Sequence, residues 1–94
     1  MVIETTPFDA ADFLDDESQA ALLSDALASG DLAVITAALG LVARARGMSR
    51  LARETGLTRS ALYAALRKGG NPTLGTVLKV LKALGVGIEA RRAA

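Results

Sequence analysis

The chain has 94 residues, half of them apolar, with three aromatic side chains and neither Cys nor His. That length makes one domain, near the low end of what can bury a self-sufficient core. The missing Cys and His exclude disulfides, thiol chemistry, imidazole bases and the common zinc sites.

The net charge of +1 conceals a split. Residues 1–43 hold eight acids and no base, whereas residues 44–94 hold all eleven bases against Glu54 and Glu89, so the halves carry −8 and +9. Such asymmetry points either to a different partner for each half or to attraction between the halves. Ala and Leu, both strong helix formers, dominate the apolar residues, so an all-α fold is expected. No apolar run approaches the roughly 18 residues of a membrane span and no basic-then-apolar leader opens the sequence. A soluble, cytoplasmic protein without a membrane partner is therefore expected, and its core of short side chains favours a homodimer.

In chain order, Val2 to Thr6 reads as a short extended stretch ended by Pro7. Asp16, three residues before Gln19, makes a capping box for a helix to about Ala28, with Ala20, Leu23 and Leu27 as its apolar stripe. Gly30 closes that helix and Asp31 caps the next, from Leu32 to Arg46, where Leu32, Ile35, Leu39 and Val42 recur at helical spacing. Gly47 ends it. Two short helices follow, Ser49 to Thr55 and Arg59 to about Lys68, before the breaker Gly69-Gly70-Asn71-Pro72. Thr73 caps a final helix from Leu74 to Leu84, with Leu74, Val77, Leu78 and Leu81 expected to face the core. In the tail, Val86 and Ile88 alternate with Gly87 and Glu89, compatible with a short strand paired with Val2 to Thr6 or with a second subunit. The single domain thus divides into an acidic N-terminal extension (1–30), a helical core (31–85) and a tail (86–94).

The stretch GMSRLARETGLTRSALYAALRKGG, residues 47–70, meets the demands of a helix-turn-helix, in which two helices cross steeply through a tight turn. Ala52 is small where the second helix packs, Gly56 tolerates positive φ, and Leu57 plugs the corner. Thr58 caps the second helix, and Leu51, Leu62, Ala65 and Leu66 supply the inward face. The bare Ala-to-Gly spacing also suits an ordinary helical hairpin with a solvated basic exterior. The register over Met48 to Arg67, and the absence of any acid on the second helix, argue for the first reading.

On the outward face Ser60, Tyr63, Ala64 and Arg67 share one helical stripe, with Arg59 at its exposed start. A recognition helix places such residues against base edges in the major groove of double-stranded DNA: Arg bidentate on guanine, Ser on several edges, Tyr on a thymine methyl or phosphate. Ser49, Arg50, Arg53 and Thr58, and around the following turn Lys68, Asn71 and Thr73, are the candidates for backbone phosphates. Asp12, Asp15, Asp16 and Glu17 cluster, but without the fixed Gly-containing loop of a calcium site. A solvated helix start explains them, and neither metal nor cofactor is expected. Nothing pairs carboxylates for acid–base work, so an enzyme is not expected.

Met48 to Arg67 resembles the helix-turn-helix of phage Cro and repressor proteins. The longer stretch Ala43 to Val86, ARARGMSRLARETGLTRSALYAALRKGGNPTLGTVLKVLKALGV, is similar to the probable addiction-module antidote family, as are FDAADFLDDE (Phe8 to Glu17) and ALASGDLAVITAALG (Ala26 to Gly40). That resemblance implies a five-helix Cro/repressor-like domain and a HigA-like antitoxin that silences a small basic RelE/ParE-superfamily toxin. It also implies repression of the protein's own operon through a palindromic operator. The acidic segment Asp9 to Asp31 would then face the toxin. A stand-alone phage-type repressor without a toxin, and an adaptor in which the hairpin merely packs, are the rival readings.

Overall fold

The computed structural model describes residues 15–93. Those residues form an all-α protein of five helices: α1 (Asp16–Ser29), α2 (Leu32–Arg46), α3 (Met48–Thr55), α4 (Arg59–Leu66) and α5 (Leu74–Ala83). α1 packs on α2, α2 on α3 and α4, and α3 on α4 and α5. No strand occurs among the described residues, and the alternating tail from Val86 onward is irregular. The stretch proposed to pair with it, Val2 to Thr6, lies outside the described residues. No single helix among them is long and apolar enough to cross a membrane.

Short polar side chains start most of these helices by satisfying their first free N–H groups. Asp31 accepts from Ala33 N (2.8 Å) and Val34 N (3.2 Å), Thr58 from Ala61 N (3.0 Å) and Thr73 from Thr76 N (3.1 Å). The cap of α1 is Asp15, one residue earlier than expected, and it accepts from Ser18 N at 2.7 Å. Two adjacent aspartates suit the position equally by type. The chain's entry into the first turn selects the one with extended backbone, φ −85° and ψ 176°.

Leu23 and Ala26 of α1, Leu39, Val42 and Ala43 of α2, Leu51 of α3, Leu62 and Leu66 of α4, and Val77, Val80, Leu81 and Leu84 around α5 make the core. Ala20 of the expected α1 stripe is exposed, and Gln19 is buried instead. Leu32 stands half exposed at the start of α2. In α5 the stripe is rotated: Val77, Val80, Leu81 and Leu84 turn inward, while Leu74 and Leu78 are 70% and 47% exposed. Apolar residues occupy more of this helix than one neighbour can cover, so its contact with α3 chooses the stripe.

Candidate nucleic-acid interface

α3 and α4 are joined by Gly56-Leu57-Thr58, and each residue of that corner has a mechanical reason. Gly56 sits at φ 75°, left-handed backbone where a Cβ costs energy, and its N–H closes α3 on Ala52 O at 3.0 Å. Leu57 is half-buried against the core, and its N–H donates to Thr55 Oγ1 at 3.2 Å. Thr58 then caps α4, with Leu62 wholly buried and Leu66 nearly so. The opposite face of α4 has no room to be anything but outside. Ser60, Tyr63 and Ala64 are exposed, as is Arg59 in its first turn.

α4 ends at Leu66, shorter than expected, and Arg67 is its C-cap. The Arg67 N–H still closes the last turn on Tyr63 O at 3.0 Å, so its Cα keeps the register of the exposed stripe. Its guanidinium donates to the Lys68 carbonyl at 3.4 Å. Arg59 and Tyr63, one turn apart, act as a pair. The guanidinium stands 5.7 Å from the ring centroid, and its Nη2 donates to the phenolic oxygen at 3.4 Å. That contact restrains two long side chains on the surface they would have to read from.

The phosphate candidates divide by what they already do. Ser49 and Arg53 are exposed beside Arg50, whose Nε lies 3.3 Å from Glu54 Oε2. Thr58 Oγ1 accepts a cap bond and keeps its O–H free to donate. The Thr73 hydroxyl is taken up twice, accepting from Thr76 N and donating to Thr76 Oγ1 at 3.2 Å. Lys68 and Asn71 are exposed on the turn after α4. From Met48 to Leu84 the only acid is Glu54, spent on Arg50, so this side of the molecule is basic throughout.

α1 is the electrostatic opposite. Asp16, Glu17 and Asp25 are exposed and the helix has no base. Hydrogen bonds from the Ser18 backbone N–H and hydroxyl hold the Asp15 carboxyl below the ordinary aspartate value. Asp12 lies outside the described residues, and among those described no group of His, Cys, Asp or Glu is arranged to hold a metal ion. Inspection of the residues alone missed the Arg59–Tyr63 pair, although its four-residue spacing signals it. It also missed that Glu54 occupies Arg50.

The fold and this surface define a small all-α protein with exposed bases on α3, on α4 and on the turn after it, and an acidic first helix. Residues 4–92 match the family model described as "Probable addiction module antidote protein", and the chain belongs to that family. It is 41% identical over 93 residues to an uncharacterized protein of Haemophilus influenzae (strain ATCC 51907 / DSM 11121 / KW20 / Rd), covering 98% of this chain and 96% of that one. No solved structure matches. Membership of an antidote family makes the chain an antitoxin of a toxin–antitoxin module, with a toxin as its partner.

Proposed function

We propose that this antitoxin is a sequence-specific DNA-binding protein of the Cro/repressor helix-turn-helix type that represses its own operon. The observation that carries the reading is the exposed, acid-free face of α4, with Arg59 held against Tyr63 beside Ser60 and Ala64. Laid in a major groove, that face presents a fork for guanine, a hydroxyl for several edges and a small residue that allows close approach. Arg67 extends the stripe, and Ser49, Arg50, Arg53, Thr58, Lys68 and Asn71 flank it as phosphate contacts. One eight-residue helix reads few base pairs. A homodimer placing two such helices in successive major grooves, about 34 Å apart on a palindromic operator, supplies the rest of the specificity.

The exposed acids of α1 support a second half to the reading: they would meet a basic RelE/ParE-like toxin and neutralise it. Electrophoretic mobility shift with the operon's own upstream DNA, at rising salt, tests the DNA half. Specific binding that weakens steeply with salt is expected. Retained operator binding by the Arg59→Ala/Tyr63→Ala/Arg67→Ala triple variant would show that α4 is not the reader.

A further inference from the structure

The tail from Val86 to Ala93 runs beside α1 and leaves a cleft of about 540 Å³ between them. Ala20, Ser24, Leu27 and Ala28 of α1 form one wall, and the tail forms the other. Val86 anchors the tail: it packs against the core, and its N–H donates to the Leu81 carbonyl at 2.9 Å. Beyond it, residues 87–93 make no hydrogen bond and no ion pair among the described residues. Ile88 is 49% exposed, and Arg91 and Arg92 are exposed at the cleft although Asp16, Glu17 and Asp25 of α1 are exposed too. A strap built to cover α1 would close on it and pair its arginines with those acids. This tail stands off instead, with unpaired backbone groups, an apolar side chain and two guanidiniums along the cleft.

The acids of α1 border the same cleft. Glu17 lies three residues before Ala20, hence on its face of the helix, and Asp25 follows Ser24. The occupant that suits both walls is an extended peptide segment. It offers backbone groups to the tail, an apolar side chain to Leu27 and Ile88, a cation to Glu17 or Asp25 and a carboxylate to Arg91 or Arg92. The antidote family supplies a protein partner for it. We propose that this segment belongs to the toxin, which is gripped between α1 and the tail. The proposal rests on the reading that α1 faces the toxin, and adds the tail as the second wall of that site.

The chain has no Cys, so one introduced Cys in the full-length protein carries an environment-sensitive fluorophore at a unique position. Ser24→Cys places it on the α1 wall, Glu89→Cys on the tail and Lys79→Cys on α5, all at exposed positions. The titrant is the toxin encoded in the neighbouring reading frame. Both cleft labels should shift to the blue on titration, and the α5 label should not. In unlabelled protein, Ile88→Asp should weaken the complex by about tenfold and Arg91→Ala/Arg92→Ala several-fold, with far-UV circular dichroism unchanged. A shift at position 24 without one at 89 overturns the proposal and leaves the toxin on α1. No shift at position 24 removes α1 from the toxin site, and the proposal falls with that reading. Unchanged or tighter binding by both tail variants also overturns it, making the tail a bystander or a competitor for α1.

Discussion

Arg59 and Tyr63 lie four residues apart on α4, and the contact between guanidinium and ring limits the rotamers of both. If they read bases, ordering them beforehand lowers the entropy lost on binding. Arg59→Ala should cost about 1–3 kcal/mol of discrimination at particular base pairs, measured by competition among operator variants. Arg53→Ala should instead weaken all sequences alike and lower the slope of log K against log salt by about one. The exposure of Arg59, Ser60 and Tyr63 was legible from the residues, because Leu62 and Leu66 define the inward face. The use made of individual hydroxyls was not. Thr58 and Thr73 look alike as sequence, yet only the fold shows Thr73 donating to Thr76 as well.

At the scale of single helices, caps and glycines place the boundaries and packing chooses the faces. Asp15 illustrates the first. Its carboxyl titrates below the ordinary aspartate value when folded, so its contribution is complete above that value and is lost as pH falls through the lowered one. Asp15→Asn keeps a cap without a titrating group. Urea unfolding should therefore find wild type the more stable at pH 6, with the difference shrinking as pH falls below the ordinary aspartate value. α5 illustrates the second. Leu81→Ala should destabilise the protein by about 2–5 kcal/mol, and Leu74→Ala, out in solvent, by less than about 0.5 kcal/mol. Both leucines fit the 3.6-residue pattern, which cannot tell which edge of a wide apolar surface meets α3. Gly40 records a packing constraint of the same kind. Gly40→Ala should cost about 1–3 kcal/mol in thermal unfolding, because its Cβ would meet the backbone carbonyl oxygen of Leu66 at 2.9 Å and force backbone to shift.

Among the described residues α1 carries acids and no base, whereas α4 and α5 carry bases and no acid. The acids of α1 are attached mainly through α2, while the bases run from the end of α2 through α3, α4 and α5 to the tail, whose Arg91 and Arg92 line a pocket with residues of α1. If the antitoxin binds DNA as proposed, the acids of α1 and the bases of α4 would serve its two partners separately. Co-expression with the neighbouring reading frame should yield a complex and relieve growth arrest. Replacing Asp16, Glu17 and Asp25 together by Asn or Gln should weaken the complex without changing operator affinity. A variant that kept full toxin binding would move the toxin site off α1.

The sequence by itself determined the helical class, the five helices to within a few residues, and the turn at Gly56. It also determined the division of charge. These follow from local causes: capping side chains, positive-φ glycines, apolar spacing and the order of acids and bases along the chain. Only the tertiary structure decided which stripe of α5 is buried, which aspartate caps α1, and that the tail from Val86 onward is irregular. It alone brought the Leu66 carbonyl against Gly40 and left the Thr36 hydroxyl buried with no hydrogen-bond partner among the described residues. The α5 stripe and the Gly40 contact depend on what a second element, distant in sequence, places opposite a residue, and the Asp15 cap on the backbone entering the first turn; periodicity carries neither.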